Sequence, residues 1–295
     1  MHISKICRVQ TESVFLTAIV VALFAFTFAQ AQEVVQVEPA KKRLIISPGS
    51  SQAGVINISN RSKDPKDVRV YLEDWLYLPV CDGTKDFKPA GSTNLSAAAW
   101  ISFVPAEFTI PAFGKKTVNY VVKVPPEAKG GHYAVLFFEN YLGGGNPARE
   151  GVSVNLAVRV ASLFYIEPKG TISRQARIGG LKISRDQDKS YISFNFTNSG
   201  NVDITANANF FIIDEKGLPY TRGEFNAAYT FPGDSVLLSS SWKEVIPKGR
   251  YDLIVTVDIA KVLKEAGLGE VPAITKEAKI EIGDNGEVIR VGELR

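Results

Sequence analysis

After about residue 34, apolar and polar positions alternate in short runs along most of the chain. Val55 to Ile58 and Val118 to Val124 are examples, and both are rich in β-branched or aromatic residues. Clusters of Gly, Pro, Asn and Asp separate the runs, as turns do. A period of two places successive side chains on opposite faces of a strand. The pattern therefore predicts an all-β sandwich fold.

One phrase of this pattern occurs twice. Val55 to Asn60 ends in the form apolar-Asn-apolar-Ser-Asn, and Ile192 to Asn198 repeats that form with Thr for Ser, 138 residues later (198 − 60). A Pro/Gly turn and a strand that ends in Pro follow in both places. We therefore predict two tandem β-sandwich domains, residues 32–168 and 169–295, with the boundary near Glu167 to Gly170.

The first 31 residues have the composition of a secretory signal peptide. Lys5 and Arg8 precede an apolar run from Val14 to Ala29, and Ala29 to Ala31 forms an A-x-A cleavage site. An uncleaved anchor helix is the alternative, but the run is shorter than the roughly 20 residues that span a bilayer. We expect a periplasmic or secreted protein with no membrane span in its mature chain.

The residues that carry enzyme chemistry are scarce. Cys81 is the only cysteine beyond the predicted signal peptide, and His132 is the only histidine. No P-loop or Rossmann glycine pattern occurs, and Asp186 to Asp188 lacks the full ligand series of a calcium loop. We predict a non-enzymatic protein without metal, cofactor or small-molecule substrate. The net charge of +3 and the absence of a basic run with interleaved aromatic residues also predict no nucleic-acid partner.

Two stretches stand out as candidate binding or structural features. The connection from Asp74 to Trp100 is long enough for an extra hairpin or a surface loop. Further on, a strand alternates cleanly, and one of its faces is entirely apolar: Val152, Val154, Leu156, Val158 and Val160. This row is either an ordinary core face or a face offered to a partner, and the pattern alone favours neither.

Four features together resemble the bacterial periplasmic pilus-assembly chaperones of the PapD type. Arg43 begins the first strand, and the next strand ends in Ile-Ser-Asn at Asn60. A Pro-x-x-Gly-Lys-Lys turn follows from Pro111 to Lys116. The last strand of the first domain runs into Leu-Phe-Tyr at Tyr165, shortly before Pro168. The resemblance implies two immunoglobulin-like β-sandwich domains and a secreted, pilus-type protein subunit as the partner.

In that family, the last strand of the first domain adds to a sheet of the subunit. Carried over, this implies that Val152, Val154, Leu156, Val158 and Val160 contact the partner. Two basic residues of the interdomain cleft bind the subunit's terminal carboxylate. Arg43 matches the first of these, whereas Ala161 and Ser162 stand where the second is expected, and Arg159 lies nearby. The alternative function is a structural or adhesive cell-envelope protein with immunoglobulin-like binding modules.

Overall fold

The computed structural model describes residues 35–142, 156–186, 188–265, 267–269 and 271–295. The predicted signal peptide, residues 1–31, lies outside this range, and so do Val152 and Val154 of the apolar row. The described chain is almost entirely β, as the alternating pattern predicted, and forms two tandem immunoglobulin-like sandwiches.

Among the described residues, ten strands and one 3₁₀ helix build the first sandwich. One sheet has the order β1-β3-β8-β6; the other has the order β2-β10-β9-β4-β5, with β7 also pairing with β4. The elements are β1 (Val35–Glu38), β2 (Lys41–Ile46), β3 (Ser51–Asn60), β4 (Lys66–Tyr77), β5 (Lys85–Pro89), the 3₁₀ helix (Ala98–Trp100), β6 (Ile101–Val104), β7 (Glu107–Ile110), β8 (Lys115–Lys123), β9 (His132–Leu142) and β10 (Leu156–Pro168).

Nine strands and a short α-helix build the second sandwich. Its sheets have the orders β11-β12-β16 and β14-β13-β17-β18-β19, with β15 also pairing with β13. The elements are β11 (Ala176–Asp186), β12 (Lys189–Asn198), β13 (Ile204–Ile213), β14 (Pro219–Glu224), β15 (Ala228–Thr230), β16 (Ser235–Trp242), β17 (Gly249–Asp258), the helix (Lys261–Glu265), β18 (Ile274–Ile282) and β19 (Val288–Val291). β10 ends at Pro168 and β11 begins at Ala176. The division into residues 32–168 and 169–295 stays a prediction.

The repeated phrase has the same structural role in both sandwiches. The side-chain amide of Asn60 donates to the carbonyl of Asp64 (2.8 Å), and its oxygen accepts the backbone N–H of Ser62 (2.9 Å). Asn198 likewise donates to the carbonyl of Val202 (2.9 Å) and accepts the N–H of Gly200 (3.0 Å). Both Asn side chains are buried, so each satisfies the backbone of a loop that would otherwise lack partners.

The long connection after Asp74 folds as an extra hairpin that reaches the second sandwich. β5 pairs with β4, and the turn between them carries Cys81. The carbonyl of Cys81 accepts the backbone N–H of Tyr229 (2.8 Å), and its thiol is buried in the core of the second sandwich. Burial raises the pKa of this thiol. The hairpin therefore links the two sandwiches through backbone and core contacts.

An aromatic cluster fills the space between the sandwiches. The outer face of the β2-β10-β9-β4-β5 sheet contributes most of it, and Phe231 enters from the second sandwich. The ring centre of Phe231 lies 4.6 Å from that of Tyr133, 4.8 Å from Tyr77 and 5.2 Å from Trp75. All four residues are buried. A sheet face that is often solvated in a sandwich thus becomes an interdomain core.

Candidate functional site: the edge of β10 and the interdomain cleft

Half of β10 has a free edge. On one side β10 pairs with β9 from Leu156 to Ile166, whereas on the other it pairs with β2 only from Leu163 onward. The N–H of Leu163 donates to the Ala40 carbonyl (2.9 Å). Because backbone groups alternate in direction along a strand, those of Ala157 and Arg159 point to the same side. Within the described part of the chain no strand pairs with them there, although β1 lies beside β10.

The apolar row of β10 leaves the core along this free edge. Val160 is half-buried against the core of the first sandwich, and Val158 is 36% exposed. The backbone of Leu156 begins the strand, but its side chain lies outside the described structure, as do Val152 and Val154. The apolar row is therefore part of the core at Val160 and exposed to solvent at Val158. Exposed apolar edge strands are sites where another chain can pair.

Arg159 lies on the opposite face of the strand from this row. Its guanidinium contacts the Glu73 carboxylate (3.1 Å) and lies 4.2 Å from the ring centre of Phe137. Arg43 is opposite Tyr165, six residues further along β10. At about 3.3 Å per residue, this places Arg159 roughly 20 Å from Arg43 along the strand. The structure does not bring these two arginines together.

Arg43 is buried between the sandwiches and bound by carboxylates of this chain. It donates to both oxygens of Asp203, at 3.0 and 2.7 Å, and it also contacts Glu167. Its guanidinium lies 4.6 Å from the ring centre of Tyr165. Burial alone would lower the pKa of Arg43, but the charges of Asp203 and Glu167 outweigh it and raise that pKa. The guanidinium is therefore held as a permanent cation.

Further contacts complete this ionic cluster. Arg174 lies 2.5 Å from Glu167, and the Tyr133 hydroxyl accepts the backbone N–H of Asp203 (2.6 Å). Two guanidiniums thus face two carboxylates, so the cluster is neutral as a whole. The side chain of Arg43 is only 8% exposed. Its binding of a partner's carboxylate stays a prediction, because such a contact would have to displace Asp203 or Glu167.

Two lysines at the cleft have no such partners. The Lys41 ammonium lies 4.3 Å from the ring centre of Tyr165, and that of Lys85 lies 5.6 Å from the ring centres of Trp75 and Tyr77. Within the described residues, neither ammonium forms an ion pair. Burial lowers the pKa of both lysines, and the positive charge of Arg43 lowers that of Lys41 further. The negative charge of Asp203 partly opposes these effects on the pKa of Lys41, and the Lys85 ammonium donates to the Gly83 carbonyl (2.9 Å). The cleft thus carries two positive charges above an aromatic surface, neither of them in an ion pair within the described residues.

Sequence reasoning missed these lysines for a simple reason. Lys41 is one of three consecutive basic residues, and Lys85 belongs to the long connection after Asp74. Only the pairing of β5 with β4 places Lys85 opposite Tyr77 and hence beside the cleft. The sole available signal was the short Lys41 to Arg43 run, in which alternate residues share a face.

The remaining polar candidate, His132, is a packing residue. Its ring lies 4.1 Å, centre to centre, from that of Trp100, and its two nitrogens contact the carbonyls of Ser96 and Lys129 at 3.3 Å. Burial lowers its pKa. Among the described residues, no group of three or more His, Cys, Asp or Glu side chains is arranged to hold a metal ion. None of the helices in those residues is long and apolar enough to cross a membrane.

Many solved structures similar to this chain are chaperones of fimbriae or pili. A chaperone–tip adhesin complex of CFA/I fimbriae biogenesis has 14% identity, covering 82% of this chain and 97% of that chain with a TM-score of 0.46. The class 5 fimbriae chaperone CfaA has 15% identity, covering 82% and 98% with a TM-score of 0.46. The CsuC–CsuE pre-assembly complex of Acinetobacter baumannii has 12% identity, covering 82% and 97% with a TM-score of 0.39.

No protein family model matches the chain, and no curated protein matches it. The fold assignment stands on the strand pairing and burial described above, independently of these likenesses.

Proposed function

We propose that this protein is a non-enzymatic, chaperone-like protein of the periplasm that binds a secreted, pilus-type subunit by β-strand addition. The observation that carries this proposal is the free edge of β10 before Leu163, where the apolar row leaves the core at Val158. A strand from the partner would pair with the exposed N–H and C=O groups of Ala157 and Arg159. The apolar row would then enter the partner's core.

We further propose that Lys41 and Lys85 bind a carboxylate of the same partner at the cleft. Both ammonium groups lie over aromatic rings and have no carboxylate of their own among the described residues. Partial burial strengthens a charge-assisted hydrogen bond relative to one in water. In this proposal Arg43 has a separate role, which is to fix the orientation of the two sandwiches.

A proline at Ala157 tests the strand addition. Proline removes an N–H that faces the free edge, and it is tolerated on sheet edges, so the pairing of β10 with β9 should persist. We expect Ala157→Pro to weaken capture of the partner from the native cell envelope by about tenfold, through a lost hydrogen bond and a steric clash. The measurement is quantitative co-purification with identification of the captured protein.

Ala157→Val is the matched control, because it keeps the N–H and favours a strand. It should capture the partner as the wild type does, and circular dichroism should show both variants folded. Equal capture by the proline and valine variants would exclude this edge as the binding site. That result would favour the alternative of a structural or adhesive envelope protein with its binding surface elsewhere.

The double variant Lys41→Met/Lys85→Met tests the cleft lysines. Methionine keeps an unbranched apolar side chain over the rings but removes both ammonium groups. We expect at least about tenfold weaker capture of the same partner, the cost of losing charge-assisted hydrogen bonds. Lys123→Met/Lys243→Met, which removes two exposed lysines that contact none of the cluster's aromatic rings, should change capture little. An equal loss in both double variants would indicate a general charge effect and would contradict a specific site.

A further inference from the structure

Phe113 is exposed at a place where its backbone is strained. It lies in the turn between β7 and β8 with a φ of 54°, in the left-handed region that residues other than Gly, Asn and Asp rarely adopt. Its side chain is 71% exposed. Its N–H donates to the Ser62 carbonyl (3.1 Å), which fixes the turn against the neighbouring loop. An aromatic residue with this backbone conformation lowers the stability of the fold, and its exposed ring gains little from burial. We therefore expect that the ring contacts another molecule.

Cations without an ion pair among the described residues lie in the Phe113 turn and in the neighbouring loop. The turn and the loop that follows β3 supply four residues without an ion pair among the described residues: Arg61, Lys63, Lys115 and Lys116. Arg61 and Lys115 also line an open depression beside Phe113, together with Glu38, which accepts a hydrogen bond from Gln36 (3.0 Å). Lys66 brings the number of basic residues at this end of the sandwich to five. The acidic residues there are three, namely Glu38, Asp64 and Asp67, so positive charge is in excess.

The Phe113 turn lies at the end of the first sandwich that the second sandwich does not contact. Lys66 pairs with Ile110 at the start of β4, whereas Tyr77 at its end contacts the second sandwich. The Phe113 turn is therefore at the end of the first sandwich that faces away from the second. Val35, which pairs with Asn60, begins the described chain at this same end. The second sandwich therefore leaves the Phe113 turn accessible.

We propose that the Phe113 turn binds the surface of a membrane that contains anionic phospholipid. The ring enters the boundary between headgroups and acyl chains, and the surrounding cations contact lipid phosphates. The exposed ring and the excess of positive charge beside it complement a lipid surface that is apolar beneath anionic headgroups. The free part of β10 lies at this same end of the first sandwich, because Val158 and Val68 both pair with Asn140 of β9. Vesicle binding is therefore measured without any protein partner, so that it is separated from strand addition.

The test is co-sedimentation of the protein, purified after export, with vesicles of phosphatidylcholine with and without phosphatidylglycerol. We expect binding only when phosphatidylglycerol is present, and weaker binding at high salt because exposed charges are screened. Phe113→Asn should reduce binding by at least about tenfold through lost apolar burial. Asn tolerates the left-handed backbone, so the stability of Phe113→Asn to urea should equal or exceed that of the wild type. Lower stability would reveal a folding defect, which is thereby distinguished from a loss of membrane contact.

Lys115→Glu and Lys123→Glu form a matched pair at opposite ends of β8. Both lysines are exposed, and both changes alter the net charge equally. We expect Lys115→Glu to weaken binding by about fivefold or more, and Lys123→Glu to leave it nearly unchanged.

Three results would overturn the proposal. They are equal binding to both kinds of vesicle, wild-type binding by Phe113→Asn, and equal losses in the two lysine variants. A Phe113→Asn variant that loses a protein partner but keeps vesicle binding would assign the turn to that protein instead.

Discussion

Replacing Arg43 by methionine should lower the free energy of unfolding by about 3–5 kcal/mol, because it leaves buried carboxylates without their cation. Asp203 would lose both of its guanidinium contacts, and Glu167 would keep only Arg174. The measurement is urea unfolding, with the midpoint and slope analysed together.

The matched control is Arg159→Met, because Arg159 and Arg43 lie on neighbouring strands of the same sheet. Arg159 forms an exposed ion pair with Glu73, and its side chain is 41% exposed. Exposed pairs contribute about 1 kcal/mol or less. A loss for Arg43→Met no larger than that for Arg159→Met would mean that the interdomain ionic cluster does not stabilise the fold.

This expectation changes how partner binding by Arg43 variants is interpreted. A variant that disturbs the interdomain cluster changes the orientation of the sandwiches as well as any direct contact. Weaker capture by an Arg43 variant would therefore not establish that Arg43 touches the partner. The cleft lysines give a cleaner test, because neither forms an ion pair within the described chain.

Removing the Phe231 ring should also cost about 3–5 kcal/mol, the range for truncating a buried phenylalanine. Phe231 is 5% exposed and is the buried residue of the second sandwich in the aromatic cluster, against which Tyr229 also packs. We expect Phe231→Ala to make the two sandwiches unfold separately, since their shared core is broken. In a background with Trp100 and Trp242 changed to Phe, the fluorescence of Trp75 reports on this interface. Far-ultraviolet circular dichroism follows the loss of strand structure in the same samples.

Phe194→Ala in the same background is the control. Phe194 is fully buried in the core of the second sandwich and makes no ring contact with Trp75. It should destabilise that sandwich without changing Trp75 emission in the native state, whereas Phe231→Ala should shift this emission to the red as water enters the interface. Native emission that is the same in both variants would contradict an interdomain role for Phe231.

The sequence by itself determined the fold class and much of its internal repetition. A period of two fixes which side chains share a face, and local turn residues fix where strands end. These are short-range properties, so the strands and the equivalent loops at Asn60 and Asn198 were predictable. The hairpin after Asp74 was one of two possibilities that the sequence left open.

Only the tertiary structure decided the residues of the site. Arg43 meets Glu167 and Asp203, which lie 124 and 160 residues away in sequence. Lys85 reaches the cleft through a hairpin, and the edge of β10 is free only because β2 begins pairing at Leu163. Alternation states which face a side chain occupies but not which strand lies beside it. The partners of Arg43 and the free edge depend on that pairing, and pairing is set by the packing of the whole chain.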